Sequence, residues 1–188
     1  EVAPSLKKKC VSKLGLAVQL AEQCNRPVPE IVRERFALSA RYMALTCDPL
    51  VRSPRIAKGG GSIENFLRKI NSQLQDPQIE YVATSGRSGK APESPCVSFP
   101  WAGYQVFRSG WSRETTWLFF DAGPRGNGHH DLAQLGVQLV SRGQSLLTDP
   151  GYYSYSNAGE DGKMSRYMHG TAAHNTALID GMEQISRE

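Results

Sequence analysis

The spacing of apolar positions changes once along the chain, from a period near 3.6 to a period of 2, close to residue 80. In the first part, Leu6, Cys10, Leu14, Ala17, Ala21 and Cys24 recur every three or four residues and predict an amphipathic helix, which Asn25 to Pro27 breaks. Pro29 suits a helix start, and Val32, Phe36, Ala40 and Met43 carry a second helix up to Asp48-Pro49. A loop over 49–61 closes on three consecutive glycines. Ser62 then offers a side-chain cap to a third helix with Ile63, Phe66, Leu67, Ile70 and Leu74 on one side, and Asp76-Pro77 stops it. Past a polar, Gly/Pro/Ser-rich connection over 84–95, strands are expected at 104–107, 115–121, 136–140, 145–148 and 176–179, with Asp180-Gly181 as a hairpin turn. Helices first and strands second predict an α+β chain in two segregated pieces, 1–79 helical and 80–188 of antiparallel β-structure.

Composition narrows the class without naming a function. The 188 residues are 39% hydrophobic and 21% charged, as in soluble globular proteins, and no run is long enough to span a bilayer. The chain opens Glu-Val-Ala-Pro, with no signal-peptide pattern, and stops just after a strand and turn, so a piece of a longer protein is expected. Charge is uneven. Residues 1–70 carry 13 Lys and Arg against 6 acids, whereas the remainder carries 9 against 12. A basic half suits an anionic partner, although Lys7-Lys8-Lys9 alone is equally a solvated helical face. Cys10, Cys24, Cys47 and Cys96 lack zinc-ribbon spacing, and three of them fall on predicted apolar helix faces, which reads as buried free thiols.

Candidate chemistry gathers after residue 119. The segment from Asp121 to His129 holds three glycines but lacks the Gly-Lys-Ser/Thr ending of a phosphate loop. Its small residues would let a bulky substrate approach His129, and Arg125 and Asn127 share the turn. On an extended backbone His129 and Asp131 face one way and His130 the other. Asp131, Asp149 and His174 form a mixed nitrogen and oxygen set suited to zinc. The competing reading makes Asp149 the cap of an Asp-Pro-Gly turn and His174 a buried, hydrogen-bonded ring.

Four blocks in order, FPWAGYQVFRSGW, FFDAGPRGNGHHDLAQL, GQSLLTDPGYYSY and SRYMHGTAAHNT, resemble the heparinase II/III-like polysaccharide lyases over about residues 62–182. The resemblance implies the last helices of an α-toroid followed by the first part of an antiparallel β-sandwich. It puts His129 on the catalytic histidine and Tyr167 on the catalytic tyrosine of the alginate-lyase branch. It puts Asp131, Asp149 and His174 on the ligands of a structural divalent metal, with Asp131 standing where the family usually has histidine. Asp149 follows His129 by 20 residues, the family spacing. The implied substrate is an anionic, uronate-containing polysaccharide, with neither nucleic acid nor membrane insertion, and the implied location of the parent protein is periplasmic or secreted.

Such a lyase removes the C5 proton of a uronate and expels the O4 oxygen. The developing enolate needs donors, which Arg125, Asn127 and His129 could supply. Tyrosine is a poor base at its ordinary pKa of about 10, so a nearby cation must activate it. Two other classes compete: a non-catalytic carbohydrate-binding sandwich with Trp101, Tyr104 and Trp111 as stacking platforms, and a metal-dependent hydrolase at the His-His-Asp cluster. The product separates the three.

Overall fold

A computed structural model describes residues 4–56, 59–124, 131–154 and 158–184. Helices α1 (Pro4–Gln23), α2 (Glu30–Thr46), α3 (Glu64–Leu74) and α4 (Pro77–Ala83) come first. Strands β1 (Val97–Phe99), β2 (Tyr104–Arg108), β3 (Trp117–Asp121), β4 (Gly136–Ser141) and β5 (Gln144–Leu147) follow, then α5 (Gly159–His169) and a 3-10 turn at Thr171–Ala173. The strands pair antiparallel in sequence order, so the sheet is a simple meander. The α+β class is therefore as the pattern predicts.

Helix α1 buries Val11, Gly15 and Val18, each one position over from the predicted stripe, of which Leu14 is half-buried and Cys10 and Cys24 are exposed. The sequence misleads here because α1 also carries Leu16 and Leu20, both solvent-facing, so its apolar residues do not mark a single side. Gly15 settles which side packs. A Cβ there would lie 2.8 Å from the Phe36 ring, so α1 and α2 approach through the missing side chain. Cys96 is exposed too, and of the four free thiols only Cys47 is buried. Helices α2 and α3 bury Phe36, Ala40, Met43, Phe66, Leu67 and Ile70, as their periodicity predicts.

Ser62 sits one position before the N-cap of α3, which is Ile63 without a side-chain hydrogen bond, and its hydroxyl accepts only a long hydrogen bond from Glu64 N at 3.4 Å. Asp76 is the capping residue the sequence does offer, since its carboxylate accepts from the amides of Gln78 and Ile79 at the start of α4, with Pro77 in the first turn. The predicted strand over 176–179 shrinks to one bridge, Ile179 with Met182, around Asp180-Gly181, where both residues have positive φ.

Tyr104, Val106, Trp117, Phe119 and Val140 join the helical residues in one continuous core. Arg108 crosses the seam. Its guanidinium donates to the Leu45 carbonyl at 3.2 Å and to that of Cys47, at the end of α2, and lies 4.1 Å from the Trp111 ring centre. The 49–61 loop ties to β4 through a reciprocal pair: Arg55 N donates to Gln138 Oε1 at 2.9 Å, and Gln138 Nε2 donates to Arg55 O at 3.0 Å.

Candidate functional site

Two stretches far apart in sequence are braced together at the site. Leu132 N donates to His169 O at 3.0 Å, Val137 N donates to Asn175 O at 2.9 Å, and Gln134 and Gln184 exchange hydrogen bonds. The brace sets residues 131–137, which lead into β4, against the end of α5 and the turn after it.

Within that frame the Asp-Pro-Gly turn performs two tasks with one carboxylate. Asp149 Oδ1 accepts from Gly151 N at 2.8 Å and fixes the turn, while Oδ2 meets His174 Nδ1 at 2.7 Å in the buried interior. This is the competing reading of the pair: Asp149 caps its Asp-Pro-Gly turn and His174 is a buried, hydrogen-bonded ring. Burial pulls the His174 pKa down, but the hydrogen bond and charge of Asp149, with the charge of Asp131, outweigh it and hold the imidazole above its ordinary value. Its Nε2 is buried and makes no hydrogen bond of normal geometry.

Asp131 pairs with His169 instead, Oδ1 to Nδ1 at 2.7 Å. His169 ends α5 just before Gly170, and its ring sits edge-on to Tyr152. Two Asp–His pairs therefore stand side by side. They border a cleft lined by Arg55, Asp121, Pro124, Asp131, Gln138 and Asp149. Among the described residues no three His, Cys, Asp or Glu side chains converge as metal ligands.

A family model described as heparinase II/III-like, C-terminal, matches residues 91–188, more than half of the chain. The chain belongs to the heparinase II/III-like family. Curated relatives include a heparin-sulfate lyase of Pedobacter heparinus, 30% identical over 107 residues, and one of Bacteroides stercoris, 31% identical over 102. The matches cover 57% and 54% of this chain but only 16% and 15% of those relatives. In three dimensions a heparan sulfate lyase from Pedobacter heparinus gives a TM-score of 0.87 at 22% identity, over 95% of this chain and 29% of that one. A heparinase III structure gives 0.82 at 20%, over 94% and 31%.

Against this heparinase II/III-like frame, the predicted residues fall into four groups. Asp149 and His174 touch, and Asp131 lies next to them but is engaged by His169. Arg125, Asn127, His129 and His130 lie outside the described residues. Tyr167 sits at 57% exposure on α5, a helix that the weakly apolar sequence around it does not signal. Of the aromatic platforms, Tyr104 is 1% exposed and is core, Trp111 is half-buried with Arg108 over its ring, and Trp101 is open. The residue missed by sequence reasoning is His169. A histidine in the last turn of a helix, just before glycine, was its only local signal.

Proposed function

We propose that the intact protein is a polysaccharide lyase that cleaves an anionic, uronate-containing polysaccharide of the heparan sulfate class by β-elimination. The observation that carries this is the paired Asp149–His174 and Asp131–His169 arrangement at one cleft, in a chain 30% identical over 107 residues to a heparin-sulfate lyase. In the proposed reaction a base takes the C5 proton, its electron pair forms the C4=C5 double bond, and the C4–O4 bond breaks with protonation of O4. His129 is proposed to stabilise the charge developing on the uronate carboxylate, and Tyr167, exposed on α5, to move the proton. A substrate of this size remains outside the cytoplasm until cut, so a periplasmic or secreted location belongs to the same proposal. Cell fractionation checks that location.

The test reads the product. Elimination leaves an unsaturated uronate that absorbs in the near ultraviolet, hydrolysis leaves a reducing end without it, and a binding module leaves the polymer whole. With Tyr167→Phe the fold should persist and the ultraviolet signal should fall by about 10²–10⁴-fold. Near-normal turnover in that variant would assign the proton transfer to another residue.

The same reading includes a divalent cation, zinc by the donor types. Three carboxylates line a cleft meant for a polyanion, and their charge needs an offset. An imidazole with Nδ1 held by a carboxylate is oriented as a metal-binding histidine is, and here the buried Nε2 makes no hydrogen bond of normal geometry, with the Met168 backbone beside the ring. His174 would hold the ion with Asp149 and Asp131, and the ion would pin the turn before residue 150 to the one after α5. Elemental analysis of protein purified without chelator should find stoichiometric metal that Asp149→Ala loses. A metal-free preparation with full activity would refute it.

A further inference from the structure

A second recess lies on the helical side of the sheet. Helices α1 and α2 and the turn between β1 and β2 enclose a groove of about 590 Å³, walled by Lys7, Leu14, Arg35, Tyr42, Phe99 and Trp101. We propose that this groove is an auxiliary binding site for an acidic saccharide, another stretch of the polymer that occupies the cleft; the inference rests on the lyase reading.

The chemistry of the walls fits that ligand. Trp101 stands at the mouth, 69% exposed, although its neighbours Tyr42 and Phe99 already form an aromatic cluster at centroid distances of 5.9 and 6.4 Å. A sugar ring offers a flat C–H face to such an indole, while its acidic substituents point outward. Two cations, Lys7 and Arg35, line the same groove. Lys7 Nζ lies 3.4 Å from the Tyr42 ring centre and 4.8 Å from that of Trp101. Arg35 is exposed on the opposite wall. Four other arginines of the helical part are matched to acids: Arg33 to Glu22, Arg41 to Asp76, Arg52 to Asp48 and Arg68 to Glu64. No acidic residue is among the described residues lining the groove. An apolar protein or lipid partner would gain nothing from this placement of charge, whereas a sulfated or carboxylated saccharide would.

Position supports the same occupant. Ala122 N donates to Gly103 O at 2.9 Å, so the Trp101 turn backs onto residues 121–124, of which Asp121, Gly123 and Pro124 line the cleft. Gly103, with φ of +71°, comes so close to Gly123 that a side chain at either would collide with the other's backbone or that of its neighbour. On the other flank Lys7 also borders Ser53 and Pro54, and the next residues, Arg55 and Ile56, line the cleft. One extended chain could therefore run from cleft to groove across the 53–56 loop.

The experiment uses the intact protein and a heparin dodecasaccharide whose carboxyl groups have been reduced. That probe keeps its sulfates but has no acidic C5 proton, so binding is read without turnover. Calorimetric affinity should weaken about three- to tenfold with Trp101→Ala, as expected for loss of one aromatic contact, and Trp101→Phe should restore most of it. Arg35→Gln should weaken binding and flatten its dependence on salt. Unchanged affinity in both Trp101→Ala and Arg35→Gln would overturn the proposal. So would a lowered melting temperature for Trp101→Ala at unchanged affinity, which would mean that another part of the protein covers the groove. Failure of the lyase reading shows separately, as absence of unsaturated product from native polymer, whatever the dodecasaccharide does.

Discussion

Asp76 shows how much one side chain can settle. It is buried, caps α4 through the amides of Gln78 and Ile79 at 2.8 and 3.1 Å, and takes the Arg41 guanidinium on its other oxygen. Burial alone would raise its pKa, but the Arg41 hydrogen bond and the two amides outweigh burial and bring it below 3.8. The folded state therefore holds this proton less tightly than the unfolded chain. The stabilisation is complete above about 3.8 and is lost as pH falls through the lower, folded value. Asp76→Ala should cost about 1–3 kcal/mol in denaturant unfolding at neutral pH, and the gap to the parent protein should narrow as the solution is acidified. Asp76→Asn keeps a cap and should lose less. Asp149 repeats this economy, with one oxygen for its own turn and one for His174.

At the scale of elements, the joint between helices and sheet depends on Arg108. Its guanidinium answers carbonyls at the end of α2 that the helix itself cannot satisfy. Burial pulls its pKa down and the nearby Cys47 and Asp48 oppose that, while burial also pushes the Cys47 thiol up to about 12. Arg108→Met fills similar space without donors and should lower stability by about 1.5–3 kcal/mol, read from the unfolding midpoint. The elements that the sequence hid share a cause. Helix α5 buries only Gly162 and Ser165, so no apolar stripe exists for periodicity to detect. Strand β1 is three residues long between Pro95 and Pro100, and α4 begins at the same Asp-Pro that ends α3. Helices α2 and α3 and strands β2 to β5 were legible because each carries a one-sided pattern or a clear turn. At the site, nothing local links Asp149 to His174, which are 25 residues apart; donor type made both candidates, and the resemblance put them in one site. His169 carries no local signal that ties it to Asp131, far away in sequence.

Across the whole molecule, helices and sheet share one core, and the 49–61 loop carries contacts from that core to both the cleft and β4. Arg52 joins the two parts, with Asp48 on one side and the Ser145 hydroxyl at 2.9 Å on the other. That second contact falls on β5, the last strand of the meander, whose four residues are all exposed, Leu146 and Leu147 included. Among the described residues no strand lies beyond it. A row of unpaired amides and carbonyls flanked by leucines is a template for another chain. Produced alone, this span should self-associate through β5, with light scattering rising steeply with concentration. Leu146→Lys should suppress that rise while leaving the melting temperature unchanged, so the choice of where to cut the polypeptide becomes a question of solubility before it is one of catalysis.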